Sequence, residues 1–226
     1  MPESLRIAYT RGVTPGKWAR IWGERFRHIP LGLELIRPVT EAAAQLEAAA
    51  DAQLAFIRLM PGEAQPEGYH LIPLYEERPF VVAAKGNVIE AADEVSLAEL
   101  EGEVRHPFDD DIESTIEVVA ASVGVVVVPQ SIARLYARKD VIARPVTDAH
   151  AWRVGLAWRT DAPAEVQPRI DDFIGVVRGR TANSSRGEAG GAVKKATPAT
   201  SGGDRRPKRP APGRSRGGRS GRRPTR

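Results

Sequence analysis

No cysteine occurs among the 226 residues, which excludes disulfides, thiolate nucleophiles and cysteine-ligated zinc together. The absence fits a reducing compartment. A long apolar run is missing too. The longest, within "VVAASVGVVVVPQSIARL" (Val118 to Leu135), is interrupted by Ser122 and falls far short of the ~20 residues a membrane helix needs. The opening "MPESLRIAYTRG" has no basic region followed by an apolar stretch, so no secretory signal is expected and the protein is read as cytoplasmic, without a membrane partner. The usual catalytic spacings are also lacking. His28, His70, His106 and His150 make no HExxH pattern, no GxSxG elbow is present, and "TPGKW" is not a phosphate loop. Nothing in the sequence sets a nucleophile against a base, so an enzyme is not expected, and neither a cofactor nor a resident metal.

What is present is divided sharply by charge. The overall balance of +4 hides a segment, 182–226, that holds 13 of the 33 Lys and Arg but only two of the 29 acidic residues. That segment carries about +11 and leaves about −7 on the rest of the chain. From Ala182 onward there is no Leu, Ile, Met or aromatic residue. Gly, Pro, Ser and Arg cannot bury enough apolar surface to offset the entropy of ordering. The division expected is therefore a folded domain at 1–181 and a disordered basic tail at 182–226.

Within the body, periodicity alternates. "LRIAY" (Leu5 to Tyr9) reads as a strand. A helix follows with Trp18, Ile21, Trp22 and Phe26 on one face, and Thr14 and Pro15 are expected as its hydroxyl cap and first residue. "LELIR" (Leu33 to Arg37) is a second strand, "EAAAQLEAAA" a helix capped by Thr40, and "AQLAFIRLM" (Ala52 to Met60) a third strand. That order predicts a parallel α/β sheet. "YHLIPLY" and "FVVAAKG" are read as further strands or a crossing connection. Ser96 opens a short helix over "SLAEL", and another carries Ile112, Ile116, Val119 and Ala120. In the Val118–Leu135 stretch, Gly124 supplies freedom for a tight turn. "VVVV" suits a strand buried on both faces, as in the middle of a parallel sheet. Pro129 ends that strand and begins the next helix. "VIARPV" and "WRVGLAW" read as strands, and Val166, Ile170, Phe173, Ile174 and Val177 mark a last helix.

Taken in order, these segments resemble the effector-binding domain of LysR-type transcriptional regulators, a two-lobed, type 2 periplasmic-binding-protein-like α/β fold. "LRIAYTRGVTPGKWARIWGERF" is similar to the family's first strand, ligand loop and helix, "AQLAFIRL" to its third strand. "LIPLYEERPFVVAAKGN" is similar to its crossing between lobes, "VSLAELEG" to the short helix after it, and "VVAASVGVVVVPQSIARL" to its glycine-centred passage from helix to strand. The likeness runs from about Leu5 to Arg180. Three departures stand out. No helix-turn-helix precedes Leu5, Ser122 stands where the family often has a first glycine, and the region between Leu100 and Ile112 is short. A shortened second lobe is therefore expected.

The resemblance implies a small polar or anionic metabolite as ligand and a homodimer, or pairing with a full-length regulator, as the assembly. Ligands of such folds sit where strand ends meet helix N-termini. The candidates are Thr10, Arg11 and Thr14 in the first loop, Lys17 one turn into the helix, Arg58 at the end of the third strand, and His106. Each has a plainer reading as a cap, a solvated charge or a surface group. Asp109, Asp110 and Asp111 are read as complements to a helix dipole rather than metal ligands. The tail offers Arg205, Arg206, Lys208, Arg209, Arg214, Arg216, Arg219, Arg222 and Arg223. Arginine-rich segments of this kind bind phosphate backbones by counterion release with little sequence preference. The alternatives are a solubilising tail or one that folds back on the acidic body.

Overall fold

The computed structural model describes residues 4–37 and 39–179. The first lobe starts with the units the periodicity predicts: β1 (Leu5–Thr10), α1 (Gly16–Arg25), β2 (Leu31–Ile36), α2 (Ala42–Ala48) and β3 (Leu54–Leu59). β4 (Tyr69–Glu77) then leads through Arg78 into β5 (Pro79–Ala84), which starts the second lobe. That lobe continues with two 3₁₀ turns (Val88–Ala91 and Ala98–Leu100), β6 (Arg105–His106), α3 (Ile112–Ala120), β7 (Val125–Pro129), α4 (Gln130–Leu135) and β8 (Val141–Pro145). The chain returns to the first lobe with β9 (Trp152–Arg159) and α5 (Gln167–Val177).

The first three strands are parallel, as their alternation with helices predicts. Both sheets are completed by antiparallel strands and are mixed, which corrects the expectation that the valine strand lies in the middle of a parallel sheet. In the first lobe the order is β2-β1-β3-β9-β4. β1 lies parallel to β2 and β3, but β9 runs antiparallel to both β3 and β4. The reason is topological: a chain that crosses to a second lobe and comes back fills the sheet from the opposite direction. In the second lobe the order is β6-β7-β5-β8, so the valine strand β7 sits between parallel β6 and antiparallel β5. It is buried at Val125, Val126 and Val128, as four β-branched residues in succession require. The short stretch between Leu100 and Ile112 still supplies β6, so the compact second lobe keeps a four-stranded sheet.

Helices cover both faces of the first sheet, and in the second α3 and α4 cover one face while the two 3₁₀ turns pack on the other. On one side of the first, Trp22, Phe56 and Phe173 are fully buried, and Trp18 stacks on Phe56 at 4.9 Å. The helical spacing of Trp18, Ile21, Trp22 and Phe26 thus packs as expected. Against the other side α2 packs Ala42 and Leu46 onto Ala8, Ile57 and Leu59. Burying a side chain the size of Phe or Leu contributes about 1.5–3 kcal/mol, so these layers dominate the stability of the lobe. No described helix is long and apolar enough to cross a membrane.

The passage from α3 to β7 explains Ser122. The amide of Ser122 donates to the Val119 carbonyl and that of Val123 to the Val118 carbonyl, the paired bonds that close a helix through a left-handed residue. Ser122 is that residue, at φ 66°. Gly124 follows at φ 71°, where an added Cβ would lie 2.1 Å from the Val104 carbonyl oxygen. Only glycine allows β6 to approach there.

Two caps differ from expectation. α1 begins from Pro15, whose carbonyl accepts from the Trp18 and Ala19 amides, and Thr14 caps nothing. α2 begins from Glu41 with no side-chain cap, and the Thr40 carbonyl instead accepts from Gln45 Nε2 at 2.6 Å. The expected disordered tail, with its nine candidate basic residues, lies outside the described residues.

Candidate ligand-binding cleft

A cleft of about 820 Å³ opens between the lobes. The first lobe contributes Tyr9 from β1, the loop Arg11–Thr14, Leu35 from β2, and Tyr75, Glu76 and Glu77 from the end of β4. The second contributes Glu113 from α3 and Gln130, Ser131, Arg134, Leu135 and Tyr136 from α4 and its C-cap. Two local features aim these segments. The β4–β9 register shifts between Pro73 and Tyr75, and a bulge of this kind re-aims the residues that follow it. Pro129 then ends β7 and turns α4 toward the first lobe, with the Gln130 amide donating to the Arg78 carbonyl.

Beneath the cleft lies Arg58, completely buried. Its Nε donates to Glu77 Oε2 at 2.7 Å, and its Nη2 donates to the Arg11 carbonyl at 2.9 Å and to Ser131 Oγ at 3.0 Å. One guanidinium therefore ties the first loop, the crossing strand and the second lobe together. Gln45 fixes its backbone from α2, accepting from the Arg58 amide and donating to the Arg58 carbonyl. Gly12, at φ 84°, passes directly over this junction, and a Cβ there would lie 2.5 Å from Ser131 Oγ and 3.0 Å from Arg58 Nη2. Nη1 of Arg58 is buried with no partner among the described residues.

Further bonds cross between the lobes. Arg11 Nη1 donates to the Tyr136 hydroxyl at 2.6 Å and stands 3.8 Å from Glu113 Oε2. Asp110 Oδ1 accepts from the Val39 amide at 2.8 Å, so the acidic run before α3 serves as an interlobe contact rather than only a complement to the helix dipole. Tyr75 has its phenol pushed up to about 12, first by burial and then by the charge of Glu77, with Arg58 opposing. It is protonated across the physiological range and so keeps an O–H to donate.

The six body residues singled out by sequence are only partly brought together. Arg11 and Thr14 line the cleft, and Thr10 is buried at the end of β1 below it. Arg58 is under the floor, occupied by Glu77, so it positions the cleft rather than facing it. Lys17 is exposed on α1 outside the lining. His106 lies on β6, where Nε2 makes a 2.7 Å hydrogen bond with the Val123 carbonyl, away from the cleft. Sequence reasoning missed Tyr9, Tyr75, Glu77, Glu113, Ser131, Arg134 and Tyr136. The one available signal was the pair of carboxylates in "YEERP", beside the crossing between lobes.

No family model and no curated relative matches the sequence. Solved structures do match. A mutant form of the OxyR regulatory domain from Pseudomonas aeruginosa aligns with a TM-score of 0.58 at 16% identity, covering 79% of this chain and 97% of that one. The BenM effector-binding domain with its effector benzoate aligns with a TM-score of 0.62 at 15% identity, covering 86% and 99%. Full-length CbnR complexed with its target DNA aligns with a TM-score of 0.57 at 14% identity, covering 78% and 70%. The body of this chain has the two-lobed α/β fold of the effector-binding domains of LysR-type regulators.

Proposed function

We propose that the body is a small-molecule-sensing domain that acts in transcription regulation and takes its ligand between the lobes. The observation that supports this most is the cleft itself. Its volume falls in the range of small-ligand sites, and it joins apolar walls to a few converging polar groups drawn from both lobes. A ligand touching both lobes favours one lobe arrangement over another, which is what a sensor requires. Lacking cysteine, the chain has no thiol to oxidise, so the signal is a bound molecule rather than a redox change of a thiol. A homodimer fits the open edge of the first sheet at β2, where Leu33, outside the cleft lining, is left 41% exposed. The test is a metabolite library screened for saturable binding to the full chain, with positives expected to lose affinity when Thr14 is replaced by tryptophan.

The second reading rests on a separate observation, the charge of segment 182–226. Its 13 Lys and Arg against two acidic residues suit non-specific contact with a nucleic-acid backbone. In that reading the body is a dimerisation scaffold. Mobility shift of duplex DNA by the full chain, and its loss from a chain ending at Arg180, separates the two ideas.

A further inference from the structure

Most charges of the cleft pair off, leaving one cation and one carboxylate of the lining without an ion pair among the described residues. Glu77 is held by Arg58 at 2.7 Å. Glu113 faces Arg11 at 3.8 Å, and Arg11 is itself bound to the Tyr136 hydroxyl. Arg134 remains. It projects from α4 into the lining, is exposed, and its guanidinium has no hydrogen bond or ion pair among the described residues. The one other charged group left over is Glu76, a carboxylate at the end of β4, likewise without a recorded partner there.

The walls around this unpaired cation are aromatic and aliphatic. Of the eight large hydrophobic side chains left exposed among the described residues, three line the cleft: Leu35 at 51%, Tyr75 at 40% and Leu135 at 54%. Leu35 and Leu135 come from different lobes. The half-buried Tyr9 and Tyr136 extend the same surface, and such groups gain by being covered with apolar area. Building on the reading of the cleft as a ligand site, we propose that it takes an amphipathic monoanion, a single carboxylate carried on an aromatic or branched apolar body, with Arg134 as the ionic anchor. The Thr14 and Tyr75 hydroxyls stand in the same lining as further donors. A dicarboxylate or phosphate ester is disfavoured, because its second charge meets Glu76 and Glu113 with no unpaired cation to balance it.

The test is calorimetric titration of the full chain with three matched probes: 2-naphthoate, 2-naphthamide and 2,6-naphthalenedicarboxylate. The acid is expected to bind about tenfold or more tighter than the amide, because an Arg–carboxylate contact replaces a neutral one. R134Q, at an exposed position, is expected to remove that preference while the Tm of the unliganded chain stays that of the wild type. The dianion is expected to bind about tenfold more weakly than the monoanion, and E76Q to narrow the gap. Equal binding of acid and amide, an acid preference that survives R134Q, or a dianion as tight as the monoanion overturns the proposal while the cleft remains a ligand site. Failure of all three probes also overturns it. The sensing function itself falls only if the broader metabolite library gives no saturable binding either.

Discussion

Glu77→Ala leaves the Arg58 guanidinium charged, fully buried and without its carboxylate. In the native protein the two side chains are 0% and 5% exposed and meet at 2.7 Å. Charge centres roughly 4 Å apart attract by about 4 kcal/mol at an effective dielectric of about 20. Removing one member of such a buried pair typically costs about 3–5 kcal/mol, because the survivor keeps its desolvation penalty. Arg58 has little to fall back on, since Nη1 is already without a partner and Nη2 is committed to Arg11 and Ser131. For a domain of this size the loss corresponds to a fall in Tm of at least about 6 °C. Urea denaturation gives the free energy directly. The double substitution Arg58→Met with Glu77→Ala is expected to lose less than the sum of the two single losses, because no unpaired charge is left behind. A Glu77→Ala loss under about 1 kcal/mol, or strict additivity in the double variant, refutes the role given to this pair.

Other substitutions probe the remaining joints. Ser122→Gly relieves a left-handed serine and is expected to stabilise the fold by roughly 0.5–1 kcal/mol in urea titrations; a loss of stability contradicts the helix-closing geometry. Gly124→Ala drives a Cβ against the Val104 carbonyl and is expected to destabilise by about 2 kcal/mol or more, or to prevent accumulation of folded protein. Because the Tyr75 phenol is raised from 10 to about 12 in the folded state, the folded protein holds that proton more tightly than the unfolded chain. The resulting stability is present below pH 10 and is lost as pH rises toward 12; Tyr75→Phe is expected to flatten the decline and to delete the highest-pH step of a phenolate absorbance titration. Ending the chain at Arg180 is expected to abolish a salt-sensitive shift of duplex DNA, and a shift that persists without the tail rules out the basic segment as its source.

The elements of the fold were legible because their signals are local. Trp18, Ile21, Trp22 and Phe26 announce α1 by spacing, and four valines between a glycine and a proline announce β7 whatever their neighbours. The parallel direction of β1, β2 and β3 was legible in their alternation with helices, but that of the returning strand was not. Nothing in "WRVGLAW" says that β9 returns antiparallel between β3 and β4, since that follows from the second crossing between the lobes. The cleft was half legible for the same reason. Arg11 and Thr14 belong to a loop at a strand end, where ligands are expected. Ser131 and Arg134 read as an ordinary helix surface, and Tyr136 as one more apolar position of that helix beside Ile132 and Leu135, until β7 and β5 pair and carry α4 up to the first lobe. Arg58 was singled out as a ligand clamp. Its partner Glu77 is 19 residues away in sequence, and only the folded crossing reveals that the guanidinium is already occupied. Thr14 made the opposite error. Its position before a proline suggested a cap, yet the helix starts from the Pro15 carbonyl and the threonine is left to the cleft.

The measurement that bears most directly on the sensing cleft is a thermal-unfolding screen of a metabolite library against the full chain and its Thr14→Trp variant. Thr14 is exposed and lines the cleft, so tryptophan there fills the cavity without disturbing a core. A ligand present at about 100 times its Kd stabilises the folded state by about 2.7 kcal/mol, a rise of roughly 5–11 °C for a domain of this size. The account predicts that at least one compound class raises the Tm of the wild-type chain in this range and leaves the variant unmoved. A library with no effect on the wild-type chain, or with equal effects on both proteins, contradicts it.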